Sequence, residues 1–524
     1  MQILLAKSET ATASRKFSRN PGAFPESVHL LDDFANSIRC SVYALSSSSS
    51  HGYGARGHAA VIVALSAHLG AGETAHKQAA CTQHFAVSCP RAVCDLLCYY
   101  ECQHERPDIL VVIDGHRRAV PGDEAAEGEC EGNSPAMIDD ILTALAQFPD
   151  LWRRLDHEIT ADRALRYLRG LEAVHGPSQT VSWSRAPVIQ QLLAADGLID
   201  THGLIWVSNF ERTGNAALLL GRAARAKQVW LLAHLDQISY LVDPGVGPLY
   251  DLVPLCFHMQ RSGARTAVAV AFDLARHELV VTARGEIRVE GGRVRFALTE
   301  GGPIGPGHRI VYESRFTYDA STGRITGYLD DSVGSVAMLL AAAVLHAYPV
   351  EVFIGLTDEE EGPVSDGSQA FARGGRRLLR HFDVPSLAIV SDSHEAEPME
   401  RGNGPQNLQI GDGAVFVERS SSGRGAPTPP HLYALQQQLA GALATRGIRL
   451  RENWGGYTAR SEDVNASAVT PNVALFGYLA SDRHYAMGVP TAHLADLLDL
   501  ARAIACYTLL AHTPLWDALQ KTPA

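Results

Sequence analysis

The sequence predicts an α/β protein whose main domain is interrupted by an all-β module. From about Ala164 onward, helical and strand patterns alternate, as in a sheet with crossover helices. Within that stretch, apolar runs such as "VWLLAHLDQISYLV" (229–242) and "SLAIVSDSHE" (386–395) read as strands that end in polar residues. Between Asp243 and Thr326 the pattern changes. There "ELVVTARGEIRVEGGRVRFAL" alternates strictly about Gly291-Gly292, a hairpin signal, with other short strands beside it.

A chain of 524 residues exceeds one ordinary core, so two or three domains are expected. Residues 1–158 form an N-terminal region of unknown role. In it "GHAAVIVALSAHLG" and "PDILVVIDGH" read as a helix and a buried strand, "PAMIDDILTALAQFPDLWRRL" as helical, and the whole as an extra α/β region. Residues 159–242 and 327–524 form the main domain, and 243–326 the inserted β-barrel-like domain. Seven of nine cysteines fall in the first 130 residues, three of them (Cys94, Cys98, Cys102) spaced to share a helix face. They fit no standard zinc module and read as small buried residues of a reducing compartment.

With 46% hydrophobic and 19% charged residues, the composition is that of a soluble globular protein. A net charge of −12 argues against nucleic acid or an anionic membrane as the main partner. "SVAMLLAAAVLHAYPVEVFIGL" (335–356) comes nearest to a membrane span, but Pro349 and Glu351 split it into a helix and a strand. "MQILLAKSETATASRKF" lacks the apolar core and cleavage site of a secretory signal, and its Ser/Thr/Lys/Arg bias only faintly resembles a transit peptide, so the expected location is cytoplasmic.

Five stretches place metal-type ligands at strand ends. In the first, His234 and Asp236 lie two apart, on one face, where the carboxylate can orient the imidazole. In "GYLDDSVGSVAMLL", Asp330 and Asp331 precede an apolar helix that one of them would cap. "GLTDEEEGPVSDGS" carries four acids, Asp358 to Glu361, out of a buried strand. Desolvating them without partners costs several kcal/mol each, so either water or a cation must face them. Adjacent glutamates there can divide the roles of metal ligand and general base. Asp392 ends a further strand. His484, with His493 as a rival, follows the last. Together these supply ligands for two divalent ions sharing a carboxylate, the equipment of metal-assisted hydrolysis.

The order His-x-Asp, Asp-Asp-x-x-Gly, Glu-Glu-x-Gly, Asp, His resembles the co-catalytic dimetal aminopeptidases, above all the tetrahedral, glutamyl-aminopeptidase-like family with its inserted β domain. The likeness covers roughly Ala164 to Leu510, including "ALRYLRGLEAVHGPSQT" with its Gly-x-Ser turn and "YTARSEDVNASAVTPNVALFGY". It implies a zinc-aminopeptidase-like α/β/α sandwich with a mixed sheet. It also implies an aminopeptidase acting on peptides with two zinc or cobalt ions, assembled as a homo-oligomer such as a dodecamer. By position, His234, Asp330 and Asp392 would hold one metal, and Asp330, Glu360 and His484 the other. Asp236 would orient His234, Glu359 would be the general base, and Glu361 and Asp463 are candidates for the substrate amine.

The chain departs from the family at Gln237, where Glu is usual, and at Ser332, where Arg is usual. The glutamate register is open. Spacing to Gly362 favours Glu359 and Glu360, whereas spacing from Thr357 favours Glu360 and Glu361. A dimetal N-acyl amino acid deacylase, or a catalytically silent scaffold, would share this ligand set.

Overall fold

A computed structural model of the chain describes residues 28–29, 41–42 and 135–521, apart from 200–203, 245–246, 257–259, 261, 363–370, 397–407 and 454–459. The chain divides into two compact units, Met1–Gly128 and Glu129–Ala524. In the first, β1 (Val28–His29) and β2 (Ser41–Val42) pair antiparallel. The other residues of the expected N-terminal α/β region up to 134, with its seven cysteines, lie outside the described residues.

The second unit opens with three helices, α1 (Pro135–Leu145), α2 (Leu151–Glu158) and α3 (Ala161–Glu172). Thr160 caps α3 by accepting from the Arg163 amide, and Ala164, Leu165, Leu168 and Leu171 form its buried stripe. The sequence grouped α1 and α2 with the N-terminal region. The structure instead places Ile141, Leu145, Leu151 and Leu155 in the main core, because their apolar faces are buried there. After α4 (Arg185–Ala195) come β3 (Leu204–Val207), β4 (Ala216–Leu220) and β5 (Val229–His234).

Six strands then close a barrel: β6 (Tyr240–Val242), β7 (Leu249–Pro254), β8 (Gly263–Asp273), β9 (Glu278–Glu290), β10 (Arg293–Gly301) and β11 (Arg309–Tyr312), in the order β10-β7-β6-β11-β8-β9. Gly291 and Gly292 make the β9–β10 turn with φ of 56° and 77°, the doubly left-handed backbone that a two-residue hairpin requires. The next strands, β12 (Thr317–Asp319) and β13 (Arg324–Thr326), pair outside the barrel, with β19 (Thr491–His493).

The chain returns to the main sheet through α5 (Ser332–Leu345), whose 14 residues are all buried. Each fully buried Leu, Val or Met there contributes roughly 1.5–3 kcal/mol. The helix ends ahead of Pro349, and β14 (Val352–Thr357) begins. Among the described residues no helix is long and apolar enough to cross a membrane. The remaining elements are α6 (Arg373–Leu379), β15 (Leu387–Glu395), β16 (Ala414–Val417), α7 (Pro430–Ala444), β17 (Leu450–Glu452), α8 (Asp463–Ser467), β18 (Val473–Ala480), α9 (Leu494–Leu510) and α10 (Pro514–Gln520).

The main sheet has eight strands in the order β17-β16-β18-β15-β5-β14-β4-β3. Its centre, β18-β15-β5-β14, is parallel, and antiparallel pairs flank it, so the sheet is mixed as expected. Period-two alternation divides β5 between two cores. Val229, Leu231 and Ala233 join the core that holds α5 and α9, while Trp230 and Leu232 join the one that holds α6 and α8. Helices thus cover both faces, and only the carboxyl ends of the parallel strands are left for polar side chains, the usual place for a site in such sheets.

Candidate metal centre

His234 closes β5, beside Thr357 at the end of β14 in the parallel register. Its Nε2 lies 3.1 Å from Asp330 Oδ1 and 3.8 Å from Glu360 Oε2, and its Nδ1 lies 3.5 Å from Asp236 Oδ1. Asp330 faces a second imidazole as well, with Oδ2 at 3.1 Å from His484 Nε2. That same nitrogen is 3.0 Å from Glu361 Oε1. Ligand atoms of His234, Asp330 and Glu361 all lie within 4.8 Å of one another, spacing that could hold a metal ion. Asp392, expected to end its strand, lies inside β15, which continues to Glu395; it borders Asp330 and raises the charge density further.

The four acids of the Asp358–Glu361 loop have three different tasks. Asp358 is a clamp: Oδ1 accepts from the amides of Gln179 and Glu359, and Oδ2 from that of Val181. Glu359 has a left-handed φ of 61°, a conformation that costs a residue with a side chain about 1–3 kcal/mol. Its carboxylate pairs with Arg377 of α6 (2.9 and 3.3 Å) and approaches Arg373 (3.7 Å). The structure therefore does not bring Glu359, the residue expected as general base, into the cluster. Glu360 and Glu361 enter it instead, and their amides donate to Asp236 Oδ1 and Oδ2. Asp236 also accepts from Ser178 Oγ at 2.6 Å. One carboxylate thus ties the Gly-x-Ser turn, the His234 ring and the glutamate loop together.

Gly362 ends the loop for a steric reason. A Cβ there would overlap the carbonyl of Leu255, just past β7 of the barrel. Gly362→Ala is expected to displace the loop or the barrel segment and to cost about 1–3 kcal/mol, read as a lower thermal midpoint.

Asp331 caps α5 by accepting from the Gly334 amide, which accounts for the second aspartate of the pair. Two expected alternatives lie elsewhere. His493 caps α9, accepting from the Ala495 amide, and its Nε2 faces the carbonyl of Thr322, so it is a local fastener. Asp463 is buried and already accepts from Ser420 Oγ and the amides of Ala426 and Ser461, which ties it to the local backbone. Its neighbour Glu462 reaches the site instead, fully buried and bonded to Thr357 Oγ1 and Ser461 Oγ. Both acids stand in "SEDV", and nothing in that string says which one faces inward. Ser393, which donates to Asp330 Oδ2 at 3.0 Å, gave no signal in the sequence either.

Burial opposes charge throughout this cluster. Asp331, Glu360 and Asp392 are pushed well above the ordinary carboxylate range, first by burial and then by neighbouring carboxylates. Asp330 moves well below that range despite burial, because His234, His484 and Arg483 face it. Burial likewise opposes the imidazoles, yet surrounding carboxylates hold His234 well above the usual range and His484 up to about 9. His484 Nε2 sits 3.0–3.1 Å from two carboxylate oxygens without the alignment of a hydrogen bond. Carboxylates in excess of cations, converging with an unbonded ring nitrogen, fit a divalent ion in the chemistry of the donors as well as in charge.

Solved structures of the same fold include an aminopeptidase from the archaeon Desulfurococcus kamchatkensis, with a TM-score of 0.53 at 17% identity over 69% of this chain and 99% of that one. A TET aminopeptidase from a marine sediment thaumarchaeon gives a TM-score of 0.53 at 14% identity, covering 66% and 96%. The Pyrococcus horikoshii TET1 peptidase, which assembles into a tetrahedron or a large octahedral shell, gives 0.50 at 18% identity, covering 66% and 99%. No protein-family model matches the chain, and no curated protein matches it in sequence. At these identities the likeness is one of fold.

Proposed function

We propose that this chain, which has the fold of the tetrahedral aminopeptidases, is a metal-dependent aminopeptidase that removes N-terminal residues from peptides. One observation carries the reading. His234 at the end of β5 and His484 past the end of β18 both lie 3.1 Å from Asp330, and Glu361 past the end of β14 lies 3.0 Å from His484. In the proposal His234, Asp330 and Asp392 would hold one divalent ion, zinc or cobalt. Asp330, Glu361 and His484 would hold the second, with Glu361 in place of Glu360 as ligand. When bound, such a pair polarises a carbonyl and acidifies water, which is the chemistry of amide hydrolysis.

The protein's own groups do the rest. Glu360, 3.8 Å from His234, is the base that takes the proton of the attacking water and returns it to the leaving amine. Asp236 fixes the His234 ring through Nδ1. Glu359, held by Arg377, takes no part in proton transfer. Gln237 and Ser332 leave no defect. The Gln237 Oε1 accepts from the Gly176 amide at 2.7 Å, and Ser332 Oγ donates to the Tyr328 carbonyl at 2.7 Å. This integration supports a working centre over a silent scaffold.

A panel of aminoacyl chromogenic substrates, with free and with N-acetylated amines, tests the activity. The metal-loaded protein is expected to cleave the free-amine series at least about tenfold faster, a preference of roughly 1.4 kcal/mol. The reverse order would assign the site to a deacylase. Self-association as a homo-oligomer, up to a dodecamer, belongs to the same proposal and is read by native mass.

A further inference from the structure

Beneath the metal centre lies a buried ion pair that the hydrolytic reading does not use. Arg185, the first residue of α4, is fully buried, and the Glu172 side chain at the end of α3 is 1% exposed. The guanidinium Nη2 lies 3.3 Å from Glu172 Oε1. Its Nη1 donates to two acceptors, the carbonyl of Leu235 and the Oγ of Ser332, each at 3.1 Å. Leu235 stands between His234 and Asp236, and Ser332 follows Asp330 and Asp331. A single guanidinium thereby joins the two backbone segments that carry the opposite sides of the cluster. Glu172 holds the second segment at its other end, where its Oε2 accepts from the Tyr328 amide at 2.5 Å and from Ser314 Oγ at 3.0 Å. Gly176 leaves the necessary space, since a Cβ there would stand 2.8 Å from Arg185 Cδ.

Two opposite charges taken out of water stabilise a fold little or not at all, so packing alone is a weak reason for this pair. We propose that Arg185 and Glu172 are positioning residues that set the spacing between His234 and Asp330, and so the affinity of the centre for divalent cations. The inference rests on the two-metal reading and deepens it. Lysine cannot replace the arginine, because one ammonium tip does not reach Leu235, Ser332 and Glu172 together.

The test is a cobalt(II) titration of the metal-stripped full-length protein, followed by visible absorption. Wild type is compared with Arg185→Lys, Ser332→Ala and the control Lys227→Met. The buried Lys227 also forms an ion pair, 2.7 Å from the partly exposed Glu351, but just ahead of β5 and away from the site, so its loss reports general destabilisation. Arg185→Lys is expected to weaken cobalt binding about 10–100-fold, and Ser332→Ala at least about threefold, with Lys227→Met within about twofold of wild type. Ser332→Ala keeps the ion pair and decides the matter if Arg185→Lys does not fold. An unshifted midpoint in Ser332→Ala, or an equal shift in Lys227→Met, overturns the proposal. Wild-type protein that takes up no cobalt overturns the two-metal reading itself.

Discussion

Glu360→Gln is expected to lower kcat on the order of 10²–10⁴-fold while the metal content of the loaded protein stays unchanged. The amide keeps the shape of the side chain and removes the one function assigned to it, the acceptance of a proton. Glu359→Gln is the matched control one residue away. Its carboxylate faces Arg377 and Arg373 on α6, so its neutralisation is expected to change kcat less than about threefold. An inverted result, with Glu359→Gln inactive and Glu360→Gln active, would return the base to Glu359.

Asp330→Ala has the larger effect. Among the described residues, Asp330 is the one carboxylate that meets both imidazoles, His234 through Oδ1 and His484 through Oδ2, each at 3.1 Å. Its removal takes a ligand from both sites, so the loaded variant is expected to retain well under about one ion per chain and no measurable turnover. His484→Ala is expected to lose only the second ion. Elemental analysis of the two variants separates a shared ligand from an unshared one, and equal metal loss in both would contradict the bridging position of Asp330.

The parts legible in the sequence were those fixed by local periodicity. The Gly291-Gly292 hairpin shows because period-two alternation meets at the two residues best able to adopt positive φ. The His234-x-Asp236 element shows because it ends a buried apolar strand, and Asp330-Asp331 shows because the pair stands at the start of a buried apolar helix. The register of the glutamate loop did not show, because it depends on a single backbone torsion. A left-handed Glu359 turns that side chain outward to α6 and brings the next two inward. The same holds for Glu462 and Asp463, consecutive acids on α8 and its cap, of which one meets Thr357 and the other the Ser420–Ala426 turn. His484 and His493 differ only through tertiary partners, the carboxylates of Asp330 and Glu361 for one and the α9 amide for the other. The membership of α1 and α2 in the main core was likewise set by long-range packing.

Anomalous diffraction from cobalt-loaded crystals addresses the centre most directly. The account predicts two neighbouring peaks, one touched by His234 and Asp392, the other by Glu361 and His484, with Asp330 between them. Cobalt bound elsewhere, or no peak beside Asp330 at full loading, would contradict it.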